Sequence, residues 1–369
     1  MNRMKLTELL ALALAVVVAG PLVAQVKTEV PAVVAGAKPV QVQHIKVHSA
    51  AIQGNLEGEV ADRDVIVFLP PSYAIDKSRR YPVVYALHGY SIGAEQWTHE
   101  IHVPQTIEGA FALGAKEMIV VLPDSKTVYG GSIYSSSVTA GDFETFIAHD
   151  VVAYVDAHFR TVADRRSRGL VGHSMGGYGA ARIGMKHPDV FGSLYIMSPG
   201  LLTAHPAELP RMGPEQNPDA AQKAFEAAVA GMKSPADAAT LPMAARAQLA
   251  VAAAWSPNPK KPPLYLDLPL VNGVVQTAVL AKWAANAPLS FVDQYVGNLR
   301  QYRAIALDVG DEDGGRDEAK KLKEAFDTYS LRSSFELYHG THTSAVADRF
   351  QNHVLPFFSE HVCQNANCK

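Results

Sequence analysis

The sequence predicts an α/β fold with a mostly parallel central sheet and helices on both faces, and three observations predict it. Short β-branched runs alternate with stretches of helical period along most of the chain. The helical stretches each keep one apolar face, as in Phe143, Phe146, Ile147, Val151, Tyr154 and Val155. Gly172-His173-Ser174-Met175-Gly176 joins one such run to one such helix. At 369 residues, 48% hydrophobic and 19% charged, the chain can bury one large core. The formal charge is −3 and the basic residues are scattered, so there is no electrostatic footprint for nucleic acid, and small neutral or weakly charged substrates fit better.

At the start, Arg3 and Lys5 precede an apolar run from Leu9 to Ala19, then Gly20-Pro21-Leu22-Val23-Ala24. That is the layout of a secretory signal over residues 1–24, removed after Ala24. The run is too short, and too broken by Gly20 and Pro21, for the ~20 residues a membrane span needs. The mature protein is therefore expected to be secreted or periplasmic, with no stable membrane anchor. Residues 25–43, rich in Ala, Val, Lys and Pro, are expected to form a linker, and one domain to cover 44–362.

The expected strands are Asp64–Leu69, Pro82–Leu87, Met118–Leu122, Gly169–Val171, Ser193–Met197, Ala304–Leu307 and Phe335–Tyr338. Leu322, Phe326 and Tyr329 mark a late helix, with Asp311 to Asp313 ahead of it and Lys320, Lys321 and Lys323 further along, an order that suits the helix dipole. Between about 200 and 300 the pattern changes to Ala-rich helical stretches, Pro218–Met232 and Ala236–Ala254, joined by a Pro-rich passage from Trp255 to Pro263. No strand alternation is evident there. An insertion of that size between two sheet strands is expected to be a helical cap over the active site.

A strand that turns sharply into a helix at Ser174 lifts the hydroxyl clear of the sheet, and glycines two before and two after leave room for the turn. Ser174 is thus the candidate nucleophile. A serine hydroxyl needs a base to take its proton and an acid to hold that base. His342, after Gly340 on the loop following the last strand, is preferred as base to His339, which still abuts the strand. Asp313 is preferred as acid to Asp308, which should lie within the strand, and to Asp311, which suits a turn. For the oxyanion, the backbone N–H groups of Met175 and of Tyr90, after the strand end Leu87-His88-Gly89, are the candidate donors, worth ~3 kcal/mol each. His88 and His173 are expected to make structural hydrogen bonds. Trp97, Tyr134 and Trp255 are candidate pocket residues, although packing is the commoner use of each taken singly.

His99-Glu-Ile-His102 lacks the i, i+4 spacing of a helical zinc pair, and no phosphate loop or dinucleotide fingerprint is present, so no metal and no cofactor is implied. The only cysteines, Cys363 and Cys368, fall in the polar tail 363–369, where no core is expected to hold them and where a small disulfide loop has no catalytic meaning.

Taken together, Val65-Ile-Val-Phe-Leu-Pro-Pro-Ser-Tyr73, Tyr81-Pro-Val-Val-Tyr-Ala-Leu-His-Gly89, Gly172-His-Ser-Met-Gly-Gly-Tyr-Gly-Ala180, Lys186-His-Pro-Asp-Val-Phe191 and Gly340-Thr-His342 resemble the Putative esterase (esterase D-like) family of the α/β-hydrolase superfamily. The match runs from about residue 45 to 200 and resumes from about 300 to 360. The resemblance implies the α/β-hydrolase fold and an exported serine hydrolase. Its implied triad is Ser174, Asp313 and His342, working through an acyl-enzyme, with Tyr90 and Met175 at the oxyanion. The implied substrate is a small-molecule or polysaccharide-linked carboxylic ester. The family's S-formylglutathione hydrolases lack an export signal and so long an insert, and its mycolyltransferases generally use Glu as the acid, so ester hydrolysis is the expected activity. An acyltransferase on the same triad would need an acceptor site that excludes water. A non-catalytic glycan- or surface-binding member would gain nothing from keeping all three residues.

Overall fold

The computed structural model describes residues 26–204 and 218–365; the expected signal sequence and Cys368 lie outside them. Eight strands form one sheet: β1 (Gln41–His48), β2 (Asp62–Leu69), β3 (Val83–Leu87), β4 (Ile119–Pro123), β5 (Arg168–His173), β6 (Ser193–Met197), β7 (Ala304–Gly310) and β8 (Ser334–Tyr338). Their spatial order is β1-β2-β4-β3-β5-β6-β7-β8. Every pairing from β4 to β8 is parallel, while β2 pairs antiparallel with both β1 and β4. The mostly parallel sheet expected from the sequence is therefore the one observed, with β1 added at the edge.

All residues of β3, β4, β5 and β6 are buried, as strands covered on both faces must be. Alternate side chains feed two cores. Val83, Tyr85 and Leu87 join one core with Phe143, Phe146, Ile183 and Phe326; Val84 and Ala86 join the other with Trp97, Ile107, Phe350 and Phe358. The first core lies under helices Met175–Lys186 and Arg316–Thr328, the second under Ala94–Glu100, Val103–Ala112 and Leu355–His361.

The insertion holds helices Pro218–Gly231, Met243–Trp255 and Thr277–Asn286. The second starts later than the sequence suggests because Pro242 stands at its N-cap, leaving the preceding Pro235–Thr240 as a separate turn of 3-10 helix. The expectation of no strand is corrected too, for Leu270–Val271 and Val274–Val275 pair antiparallel. Asn272 and Gly273 between them both have positive φ, which is the chemistry of a type I′ hairpin turn. Leu249, Ala252, Trp255 and Trp283 extend the first core into the insertion, which is thus packed onto the sheet domain rather than tethered to it. No helix among the described residues is long and apolar enough to cross a membrane.

Two further expectations are corrected. The stretch read as a linker is docked: Val26 is 6% exposed and its N–H donates to Glu100 Oε2 at 2.6 Å, while Val40 N–H donates to Glu108 Oε1 at 3.0 Å. Cys363 is 2% exposed and disulfide-bonded, with its carbonyl accepting from Ser167 Oγ at 2.7 Å, so the domain includes the first residue of the tail.

Candidate active site

β5 ends at His173, Ser174 turns at φ 60° and ψ −116°, and the helix Met175–Lys186 begins at the next residue. A non-glycine residue holds such a conformation only where its surroundings fix it. Here Ser174 N–H donates to Met197 O at 3.1 Å, and Ser174 O accepts from Tyr178 N at 3.0 Å and Gly200 N at 3.2 Å. The flanking glycines are required by contact. A Cβ on Gly172 would lie 2.0 Å from Gly176 O, and one on Gly176 would lie 2.1 Å from Leu87 O.

His342 Nε2 stands 2.7 Å from Ser174 Oγ, and its Nδ1 stands 2.8 Å from Asp313 Oδ2. Burial pushes the Asp313 carboxyl up, but the hydrogen bond and charge of His342, with Gly315 N–H and Ser198, outweigh it and hold Asp313 below the usual carboxylate value. An ionised carboxylate only accepts, so Nδ1 carries the proton and Nε2 is left to accept from the serine hydroxyl. The Asp313 side chain is 3% exposed and that of His342 is 41%, so the acid is shielded while the base meets solvent. This chain of atoms can take a proton from Ser174 and return it to a leaving group.

The turn after β3 lies directly against the nucleophile: a Cβ on Gly89 would sit 3.6 Å from Ser174 Cβ. Tyr90 is held by its hydroxyl, which donates to Tyr129 O at 2.6 Å. Met175, as the first helical residue, has no acceptor for its N–H inside the helix. The turn that carries Gly89 and the helix start at Met175 therefore both adjoin Ser174.

Two buried histidines brace these turns. His88 Nδ1 is 2.9 Å from Gly89 O, and its Nε2 accepts from Ser125 N–H at 2.9 Å. His173 Nε2 donates to His342 O at 2.8 Å, and the two rings lie 5.0 Å apart. Burial, helped by the charge of His342, lowers the His173 pKa to about 3. A folded value below the unfolded 6.5 means that the unfolded chain takes up a proton here which the native state refuses. Stability therefore falls as pH drops from 6.5 toward 3. His173→Gln should make that decline shallower by up to about 1.4 kcal/mol per pH unit. Urea unfolding of both proteins at pH 7 and pH 5 checks it; equal declines would contradict it.

The other sequence candidates fall elsewhere. Asp308 is buried in β7 and pairs with Arg349 at 2.9 Å. Asp311 accepts from Gly340 N–H at 3.0 Å and pairs with the exposed His339 at 3.1 Å, which ties the two loops together beside the triad. Trp97, Tyr134 and Trp255, expected to line the pocket, are 0%, 0% and 3% exposed. Trp97 packs edge-on against Phe350, Tyr134 donates to His88 O at 3.0 Å, and Trp255 Nε1 donates to Ser135 Oγ at 3.2 Å. Their rings are spent on packing, which corrects the pocket expectation. Sequence reasoning missed Ser198, at φ 37°, whose N–H donates to Asp308 O at 2.8 Å and whose side chain helps hold Asp313 ionised. A small polar residue at a strand end, ahead of Pro199-Gly200, was the available signal.

The sheet order and the strand-to-helix turn at Ser174 are those of the α/β-hydrolase fold. Residues 60–360 match the family described as Putative esterase, and the chain belongs to that family. It is 30% identical over 183 residues to an endo-1,4-beta-xylanase/feruloyl esterase of Xylanibacter ruminicola, covering 46% of this chain and 25% of that protein. It is 31% identical over 131 residues to an esterase of Mycobacterium tuberculosis, covering 35% of this chain and 27% of that protein. The chain thus aligns with about a quarter of the length of these curated relatives. Among solved structures, a ferulic acid esterase superposes with a TM-score of 0.60 at 22% identity, covering 88% of this chain and 99% of that one. A Staphylococcus aureus fluorophosphonate-binding serine hydrolase superposes at 0.56 with 16% identity, covering 87% of this chain and 98% of that one.

Proposed function

We propose that the protein is an exported serine esterase that hydrolyses carboxylic esters through an acyl-enzyme on Ser174. The observation that carries this reading is the unbroken line from Asp313 Oδ2 through His342 to Ser174 Oγ, at 2.8 and 2.7 Å, on the strand-to-helix turn. His342 Nε2 takes the hydroxyl proton as Oγ attacks the ester carbonyl carbon, and Asp313 stabilises the imidazolium that forms. The carbonyl oxygen gains negative charge opposite the N–H groups of Tyr90 and Met175. Collapse breaks the bond to the alcohol, which leaves with the proton from His342. Water then attacks the acyl-enzyme by the same route in reverse, releasing the acid and restoring Ser174. Export rests on the signal pattern of residues 1–24, and membership of an esterase family supports ester rather than amide cleavage. The feruloyl esterase relative makes a hydroxycinnamoyl ester of a sugar the first natural substrate to try.

Hydrolysis of p-nitrophenyl esters of increasing acyl length by the mature protein tests the reading and sizes the acyl pocket. Turnover that is highest for one length and falls on either side is expected. No release of p-nitrophenol from any ester would contradict it, and release that rises with an added alcohol would favour acyl transfer.

A further inference from the structure

The helix that follows the His342 loop, Val346–Arg349, has Ala345 at its N-cap and therefore no side-chain cap from the N-cap residue. An alanine there leaves first-turn N–H groups without a side-chain acceptor. The acceptor comes from far away: Ala347 N–H donates at 3.0 Å to the hydroxyl of Thr28, 319 residues earlier. The same hydroxyl lies 3.2 Å from Ser344 O, to which it donates, and Glu29 N–H donates to that carbonyl at 2.8 Å. In return Thr343 Oγ1 lies 3.4 Å from Lys27 O. Ser344 is the link to the base, since its Oγ accepts from Thr341 N–H at 2.9 Å, one residue before His342. The far side of the segment is anchored on the helices of the second core. Val26 N–H donates to Glu100 at 2.6 Å, and Gln105 Nε2 donates to Pro31 O at 2.7 Å.

We propose that Val26–Pro31 is a strap that positions the His342 loop, with Thr28 as its positioning residue. This rests on the reading of His342 as the general base. The loop from Thr341 to Ala345 is short, and His342 is anchored within it by its ring contacts and by one carbonyl bond to His173. Beyond the bonds of Asp311 and Glu312 to Gly340 and the turn bond from Val346 N–H to Thr343 O, the strap adds fixed points on both the carbonyl side and the helix side of Ser344. Without it the loop has slack where the Nε2 to Oγ distance must be kept, and small misplacements at that point cost rate steeply. Thr28 touches neither substrate nor the reacting atoms; it acts through Ser344 and the helix start.

The test uses the mature protein with p-nitrophenyl acetate, comparing wild type, Thr28→Val, Thr28→Ser, Gln105→Ala and His342→Ala. Valine keeps the shape of threonine and loses the hydroxyl. The expected result is a kcat roughly ten-fold lower in Thr28→Val with KM within about two-fold. Serine, which keeps the hydroxyl, should restore kcat to within about two-fold. The rate at which a fluorophosphonate labels Ser174 should fall in Thr28→Val by the same factor as kcat, since both need the base in place. Gln105→Ala, which loosens only one anchor, should lose roughly three-fold in kcat and serves also if Thr28→Val does not fold. A Thr28→Val protein that melts earlier but keeps wild-type kcat and labelling rate well below its melting temperature would overturn the proposal, as would an unchanged Gln105→Ala where Thr28→Val is unfolded. If His342→Ala itself keeps wild-type turnover, the base assignment has failed; if it is dead while Thr28→Val is unaffected, the strap alone has failed.

Discussion

Ser174→Ala is expected to lower kcat on a p-nitrophenyl ester by on the order of 10⁵-fold, with little change in thermal unfolding. The substitution removes the hydroxyl that stands 2.7 Å from His342 Nε2, and among the described residues no other hydroxyl bonds that nitrogen. It leaves the backbone bonds from Ser174 to Met197, Tyr178 and Gly200, so the turn and the proposed oxyanion donors beside it should persist. Residual catalysis above the rate in water is therefore expected, because substrate binding and the N–H groups of Tyr90 and Met175 remain. Circular dichroism melts beside the kinetics separate lost chemistry from lost fold. A variant that keeps more than a tenth of wild-type kcat would remove Ser174 from the nucleophile role.

Asp313→Asn is the second large effect, with an expected loss of about 10⁴-fold in kcat. The amide fits the same space, but it cannot supply negative charge to the imidazolium, and its NH₂ can face Nδ1 and force the wrong tautomer. Its dependence on pH has a definite sign. Because the Asp313 pKa is lowered in the folded state from 3.8, the carboxylate contributes stability that is complete above 3.8 and lost as pH falls through the folded value. The wild type should thus be more stable than Asp313→Asn at pH 7, by about 1 kcal/mol, with the gap closing below pH 3.8. Urea unfolding at pH 7 and pH 3 reads both limbs; a gap that widens in acid would contradict the charged pairing.

The parts of this architecture that sequence carries are those fixed by local pattern. Apolar β-branched runs such as Val83–Leu87 and Ile119–Pro123 have only one stable place, inside a covered parallel sheet. The turn at Ser174 is legible because Gly172 and Gly176 are demanded by backbone atoms that a Cβ would strike. Asp313 and His342 follow from strand ends, since a residue just past a strand in this sheet is delivered to the same edge as Ser174. What sequence does not carry is partnership across long separations. Nothing near Thr28 marks it as the cap of a helix 319 residues later, so the segment looks like a linker, its composition giving no period. Trp97, Tyr134 and Trp255 look available for substrate because an aromatic residue is equally suited to a pocket wall and a core. Their neighbours Phe350, His88 and Ser135 decide the matter, and all come from other elements. The insertion is legible as helical from its alanines, but its Val-Asn-Gly-Val hairpin is too short for alternation to show, and only the Asn272-Gly273 pair could have announced it.

The central claim is that Ser174 becomes acylated during turnover. Rapid mixing with p-nitrophenyl acetate, acid quenching and peptide mass mapping test it most directly. The predicted result is a burst of p-nitrophenol and one acetyl group on the peptide that holds Ser174, both absent from Ser174→Ala. Steady hydrolysis with no acyl group on that peptide, or with the acyl group on another residue, would contradict it.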